Sequence, residues 1–184
     1  MMGPLALDPT SPAWGDDNWS RIQQRGHGNV AATTQEGSVN AAFILQAGDG
    51  NRASSDQQGT QNQVDFDAAA IPYMPPGLLP GLAGQVQVGH DNIARISQTG
   101  QSNMAFQAQI GAFGQAYLTQ FGNFNRALQI QIGRSNLSTI DQVGDDNQAL
   151  VTQVGNNNRS TIRQEGDGHA ATNIQLGSGH TINI

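Results

Sequence analysis

The sequence predicts an all-β fold, a parallel β-solenoid of 11-residue half-turns with 22 residues per coil and about seven coils. The pattern Q-x-G-x-x-N-x-A-x-x-x-Q recurs with a period of 11 residues, as it does from Gln142 to Gln153. Its Asn, small, fourth and Gln positions lie two residues apart, so all four share one face of a strand. The fourth position is aliphatic in alternate units, which doubles the period. Self-similarity at a fixed period is the sequence signature of a solenoid.

The composition narrows the classes of function. Charged residues make up 12% of the 184 residues and the net charge is -6. A nucleic-acid-binding protein is expected to carry a basic patch, so this balance argues against a nucleic-acid partner. The absence of cysteine excludes disulfides, thiolate catalysis and cysteine-ligated metals. No apolar run is long enough to form a membrane-spanning helix, and no membrane span is predicted.

Residues 1–19 precede the repeats and show no period. They contain Pro4, Pro9 and Pro12 and are predicted to form a flexible N-terminal leader. They lack the charged start and the apolar stretch of a signal peptide. We therefore expect either that the protein is not exported by that route or that the sequence is a mature or recombinant form.

Each half-turn is predicted to bend at a glycine, because glycine adopts backbone conformations that other residues resist. The predicted turn glycines are Gly26, Gly37, Gly48, Gly59, Gly89, Gly100, Gly111, Gly122, Gly133, Gly144, Gly155, Gly166 and Gly177. An Asn follows three residues later at Asn29, Asn40, Asn51, Asn62, Asn92, Asn103, Asn125, Asn136, Asn147 and Asn158. Gly114, His169 and His180 stand where this Asn is expected.

The closing Gln of each unit is predicted to form a ladder through the stack. These residues are Gln35, Gln46, Gln57, Gln98, Gln109, Gln120, Gln131, Gln142, Gln153, Gln164 and Gln175. In a parallel stack each side chain lies about 4.8 Å from its equivalent in the next coil. A carboxamide both donates and accepts, so an Asn or Gln column can hydrogen-bond along its length. Like charges at that spacing would repel by about 1 kcal/mol even in water.

An aliphatic row is predicted to supply the dry core. It consists of Ile44, Phe66, Ile96, Leu118, Ile140, Ile162 and Ile184. The units between have Gln107, Gln129, Val151 and Asn173 at the same position. The two strands of a coil therefore have different surroundings.

A Pro-rich insertion at about residues 68–84 interrupts the repeats. Its prolines cannot donate hydrogen bonds within a central ladder. Counting along the aliphatic row predicts one coil with an eight-residue excess that bulges outward, within a single solenoid over residues 20–184. The alternative is a linker between two independent repeat domains.

The repeats resemble the curlin repeats of curli subunits, which are bacterial functional amyloids. The resemblance covers about residues 20–184 apart from the Pro-rich insertion. It implies a left-handed solenoid, export to the cell surface and head-to-tail self-assembly into extracellular fibres of the biofilm matrix that support adhesion and aggregation. It also implies that the Gln, Asn, Gly and Ala positions form the amyloid core. The implied partners are further copies of the chain, a nucleator subunit, and an outer-membrane secretion pore with accessory proteins. Whether the chain is the major subunit or the nucleator stays open.

The residue pattern predicts neither an enzyme nor a cofactor or metal site. The four histidines, His27, His90, His169 and His180, lie in predicted turns, where solvated side chains are expected. Acidic residues recur from turn to turn, whereas a catalytic site needs an isolated cluster. The sequence stops within a repeat, so uncapped ends that template further addition are expected. A soluble surface-binding solenoid of the adhesin or ice-binding type is the alternative.

Overall fold

A computed structural model describes residues 13–14, 18–64 and 84–184, with side chains described for 18–62 and 84–184. All regular structure in these ranges is β-strand. The strands are β1 (Ala13–Trp14), β2 (Trp19–Arg25), β3 (Val30–Ser38), β4 (Ala41–Ala47), β5 (Arg52–Thr60), β6 (Gln63–Val64), β7 (Gln85–His90), β8 (Ile93–Gln101), β9 (Met104–Ala112), β10 (Gln115–Phe121), β11 (Arg126–Arg134), β12 (Leu137–Val143), β13 (Gln148–Asn156), β14 (Arg159–Glu165), β15 (Ala170–Leu176) and β16 (Thr181–Asn183). No helix that could span a membrane occurs in the described ranges.

The strands form two parallel sheets that the chain visits in turn. Sheet A has the order β1-β3-β5-β8-β10-β12-β14-β16, and sheet B has the order β15-β13-β11-β9-β6-β4-β2, with β7 between β4 and β9. Equivalent residues one coil apart are in register, as in the pairing of Ile140 with Ile162. The prediction of a parallel β-solenoid with about seven turns of about 22 residues is confirmed.

The period-two pattern places alternate side chains between the sheets. In β12, Ser138, Ile140 and Gln142 are buried, while their neighbours face outward. The small residue lets the sheets approach closely, and the aliphatic residue provides apolar contact. One core cluster joins both sheets and contains Ala42, Ile96, Ala105, Leu118, Ala127, Ile140, Ala149, Val151 and Ile162.

The turn glycines permit close stacking of the arcs that connect the sheets. Gly144 has φ +115°, and a Cβ there would overlap the carbonyl oxygen of Gly166 in the next coil. A side chain at this position would therefore push adjacent coils apart.

The insertion separates β6 from β7, two short strands that together occupy the place of one strand in sheet B. β6 pairs with Ala41 and Ala42 at the start of β4, and β7 pairs with the remainder of β4 from Ile44 onward. Matching positions across this coil are 41 residues apart instead of 22, so the insertion adds 19 residues. The predicted excess of eight was wrong. Residues 65–83, which hold most of the predicted insertion, lie outside the described residues.

The predicted aliphatic row is divided between the two sheets. Ile44 lies in sheet B and pairs with Gln85, whereas Ile96 lies in sheet A and pairs with Ser55. The predicted row used steps of 22 and 30 residues from Ile44 to Ile96. The true step over the insertion is 41 residues, so the prediction joined residues of different sheets. Phe66 lies outside the described residues. Ile96, Leu118, Ile140 and Ile162 form a continuous buried row in sheet A, and Ile184 at its end is exposed.

Strand pairing begins earlier than residue 20. Ala13 and Trp14 pair with Gln35 and Glu36 in sheet A. Most of the predicted leader, residues 1–12 and 15–17, lies outside the described residues, and its flexibility stays a prediction.

Candidate functional site: the amide ladders and the sheet edges

Two Gln ladders run through the stack, one in each sheet. Each Nε2 donates to the Oε1 of the equivalent Gln one coil further toward the C-terminus, at 2.6–3.0 Å. In sheet B the ladder joins Gln24, Gln46, Gln87, Gln109, Gln131, Gln153 and Gln175. In sheet A it joins Gln35, Gln57, Gln98, Gln120, Gln142 and Gln164. Neither ladder is interrupted at the insertion.

The Gln side chains also tie the two sheets together. The Nε2 of Gln142 donates to the main-chain oxygen of Arg126 across the core at 3.2 Å, and Gln153 reaches Leu137 in the same way at 3.1 Å. Both Nε2 hydrogens of Gln142 and of Gln153 are therefore used, which is what a buried carboxamide requires.

The sequence-based prediction omitted two members of the Gln ladders, and it did not identify a third, shorter Gln column. Gln24 and Gln87 precede Gly26 and Gly89 by two residues, so the Q-x-G spacing could have found them. A shorter buried column in sheet B runs from Gln85 through Gln107 to Gln129, with Gln–Gln bonds of 3.2 and 2.6 Å.

The Asn residues act mainly on the main chain of the arcs. Asn147 Nδ2 donates to the carbonyl oxygen of Gly166 at 2.7 Å, and the Asn147 N–H donates to Asn125 Oδ1 at 3.0 Å. The same pair of bonds recurs along both arcs, which satisfies arc groups that strand pairing leaves free. Amide-to-amide bonds of 3.1–3.2 Å also join Asn51 to Asn29, Asn92 to Asn51 and Asn103 to Asn62. Asn18 extends this arrangement toward the N-terminus, where its Oδ1 accepts from Asn40 N–H at 2.9 Å.

The three departures from Asn have different consequences. Gly114 N–H donates to Asn92 Oδ1 at 3.0 Å, but Gly114 has no amide to continue the series. His169 and His180 likewise donate their N–H groups to Asn147 and Asn158. The Nε2 atoms of His169 and His180 lie beside Gly166 and Gly177, respectively. At the equivalent glycines of earlier coils, this place is taken by the carbonyl oxygen of the turn Gly one coil further on.

Sheet edges mark the two ends of the described stack. β2 and β15 are the outermost strands of sheet B, and β1 and β16 are the outermost strands of sheet A. Around β15 and β16 most residues are exposed, including Leu176 and Ile184. An edge strand presents main-chain donors and acceptors that another chain can pair with.

The described residues contain little that could support catalysis or metal binding. They include no group of three or more His, Asp or Glu placed to hold a metal ion. The ion pairs found there, His90 with Asp49 at 3.9 Å and Arg163 with Glu165 at 3.8 Å, are exposed and contribute little to stability. The predicted turn histidines thus form no common site with one another.

Comparison with known families identifies the repeat. The family model described as the curlin associated repeat matches residues 31–59, 114–144, 133–166 and 155–184, which together cover more than half of the chain. A search of curated proteins gave no match. Members of this family are structural, non-enzymatic subunits of extracellular curli. The chain belongs to the curlin-repeat family.

Proposed function

We propose that this protein is a structural subunit that assembles head-to-tail into extracellular amyloid fibres of a biofilm matrix, where the fibres support adhesion and aggregation. The observation that carries the proposal is the pair of Gln ladders. They run without a break from the coil of Gln24 and Gln35 to that of Gln164 and Gln175. A second copy stacked in register would continue both ladders and both sheets.

The edges supply the driving force for this addition. Strand pairing across the joint would satisfy main-chain groups of β15 and β2, and the Gln ladders would gain one bond each. Each such bond replaces water partners by protein partners and contributes about 0.5–1.5 kcal/mol net, so a joint that forms several of them is favourable. A contact between unlike ends that does not close into a ring produces a filament.

Family membership supports the other parts of the proposal. Curlin-repeat proteins are extracellular, so we place the fibre at the cell surface. We also propose a nucleator subunit and an outer-membrane secretion pore with accessory proteins as partners. Action as the nucleator itself is the second role that fits the same fold.

A surface-binding solenoid of the ice-binding type is less well supported. Thr139 and Thr161 are neighbours on the outer face of sheet A, as a threonine array requires. The same row continues with Tyr117 and Arg95, which differ from Thr in size and charge. The flat, regular array that such a function needs is therefore interrupted.

Fibre formation tests the proposal directly. The purified chain is expected to form unbranched, thioflavin-binding fibres with a meridional reflection at about 4.7–4.8 Å. A chain that stays a soluble monomer at high concentration for days would overturn the proposal.

A further inference from the structure

The arcs that lead from sheet B to sheet A share one pair of hydrogen bonds between successive coils. Asn158 Oδ1 accepts from the His180 N–H at 3.1 Å, and Asn158 Nδ2 donates to the Gly177 carbonyl oxygen at 2.8 Å. Asn29 makes the same two bonds to its following coil, at 2.9 and 2.7 Å. The last residue of such an arc therefore offers the following coil one acceptor and one donor.

The arc of residues 177–180 is the outermost of this series on the C-terminal side of the described stack, and it ends in His instead of Asn. His180 is exposed. Its Nε2 lies 2.9 Å from the place that a Cβ on Gly177 would take. In the preceding coil, the matching place beside Gly155 is occupied by the carbonyl oxygen of Gly177. The imidazole thus lies where the main chain of a further coil would come.

The arc of residues 26–29 is the outermost of the series on the N-terminal side, and it presents the complementary groups. In the next coil, the Gly48 carbonyl oxygen and the Asn51 N–H are both bonded to the Asn29 side chain. The equivalent carbonyl of Gly26 and the N–H of Asn29 have no such partner within the described part of the chain. This end therefore offers one acceptor and one donor of its own.

The repeat fixes how the two arcs would meet. The first residues of β2 and β15 belong to the same column of sheet B. When β2 of a second copy stacks on β15 in this register, its arc 26–29 lies on the arc 177–180. Asn29 of the second copy then lies over His180.

We propose that neutral His180 is a contact residue of the joint and binds the Asn29 N–H and the Gly26 carbonyl oxygen of a second copy. The inference rests on the head-to-tail assembly proposed above. The imidazole Nδ1 is bonded to Cγ, as Oδ1 is in Asn, so it accepts from the N–H, while Nε2–H donates to the carbonyl. A neutral imidazole has one donor and one acceptor nitrogen, whereas imidazolium has two donors. Protonation therefore sets an N–H against the Asn29 N–H and breaks the contact.

The charged groups around this contact also favour the neutral form. Neither the arc of His180 nor the preceding one holds another titratable group. Arg159 lies beside the arc, where its N–H donates to the His180 carbonyl oxygen at 2.7 Å. The second copy contributes Arg25 and His27, and the first carboxylate of its arc series is Asp49, one coil further on. Because these neighbours are mainly cationic, a site that excludes water disfavours imidazolium.

The pH dependence of seeded growth tests this assignment. At about one pH unit below the ordinary pKa of histidine, about 6.5, roughly nine-tenths of an exposed imidazole is protonated. We therefore expect wild-type elongation to fall about tenfold relative to His180→Asn when the pH is lowered from about 7.5 to about 5.5. His180→Asn restores the amide of the repeat, which does not titrate in this range. The comparison cancels the change in net charge that both chains undergo.

Two matched variants identify the histidine responsible. His90→Asn changes a histidine inside the stack, and His27→Asn changes the one that the second copy would bring to the joint. Both should keep the wild-type response to pH. A response that disappears in either variant, or that is equally large in His180→Asn, overturns the inference.

His180→Ala shows whether the side chain contributes bonds at all. Alanine has neither donor nor acceptor, so this variant should elongate about fivefold or more slowly than His180→Asn at both pH values. Equal growth of these two variants also overturns the inference.

Fibre formation itself separates this inference from the proposed function. If neither the wild type nor any variant forms thioflavin-binding fibres, the proposed assembly fails, and the role of His180 fails with it. If fibres form but wild type and His180→Asn respond equally to pH, only the role of His180 is overturned.

Discussion

Gln142 shows how one residue serves both the stack and the core. Its Oε1 accepts from Gln120 at 2.9 Å, and its Nε2 donates to Gln164 at 2.8 Å and to the main chain of Arg126 at 3.2 Å. The side chain is fully buried. Chains of such bonds polarise one another, so each rung strengthens its neighbours.

Replacing Gln142 or Asn147 by Ala should slow fibre growth and destabilise the fold. Gln142→Ala removes the acceptor of one Gln120 amide hydrogen and the donor to Gln164 Oε1, and Asn147→Ala removes the side-chain donor to the Gly166 carbonyl. Each variant should cost about 1–3 kcal/mol, measured as elongation rate and denaturant midpoint. Gln148→Ala, at an exposed side chain in the next strand, is the control. Growth equal to that of the control would show that the ladders do not stabilise the fibre.

Gly144→Ala should be far more damaging than Gly168→Ala. Both glycines have positive φ, +115° and +71°, so both substitutions strain the backbone. Only at Gly144 would the new Cβ overlap the next coil, at the Gly166 carbonyl oxygen, whereas nothing lies within 4 Å of a Cβ at Gly168. Thermal or denaturant unfolding of both variants isolates the effect of this contact, and equal losses would contradict it.

Gly114→Asn should be more stable than Gly114→Ala. Both add a Cβ, which meets Asn92 Oδ1 at 3.1 Å and Gln109 Nε2 at 3.2 Å. Only Asn restores the bonds that its equivalents make to the next coil, which are worth about 1 kcal/mol. Denaturant midpoints compare the two variants, and a midpoint for Gly114→Asn at or below that of Gly114→Ala would refute the inference.

At the scale of strands, repetition made most of the fold predictable. Alternation fixed which side chains face the core, and the doubled period distinguished the two sheets. The insertion could not be placed, because proline content shows that pairing stops but not where the chain rejoins the sheet. The aliphatic row was misassigned for the same reason. Gln24, Gln87 and Asn18 follow the repeat pattern, but the prediction omitted them because they lie beside the leader or the insertion, where the repeat is incomplete.

Deleting a whole coil should be tolerated better than deleting half of one. Removal of residues 137–158 takes out 22 residues, one coil, and leaves Gln120 aligned with Gln164. Removal of residues 137–147 moves every later strand to the other sheet and stacks Ile162 on Gln129. Fibre yield and denaturant resistance should therefore be close to those of the full chain only for the 22-residue deletion. Comparable results for the two deletions would show that the sheets are interchangeable.

At the scale of the molecule, the number of levels sets the fibre repeat. Sheet B has seven levels, counting β6 and β7 as one, and sheet A has six long strands between β1 and β16, which are short and pair with opposite ends of their neighbours and so can share a seventh level across a joint. If the next copy follows directly, the subunit repeat along the fibre is about 34 Å, seven levels at about 4.8 Å. A label at a single exposed position should recur at this spacing in electron micrographs. A doubled spacing would indicate that copies meet through like ends.

The Gln–Gln hydrogen bonds of both ladders run in the same direction, and this has a consequence for broken fibres. Each Gln–Gln bond of the two ladders has its donor Nε2 on the coil nearer the N-terminus, so any fracture leaves amide hydrogens on one fragment and amide oxygens on the other. Two fragments can rejoin only in the original orientation, because a reversed fragment would set hydrogens against hydrogens. A sheared sample should consequently anneal into fibres of uniform direction, and the two tips of each fragment should recruit fresh subunits at different speeds.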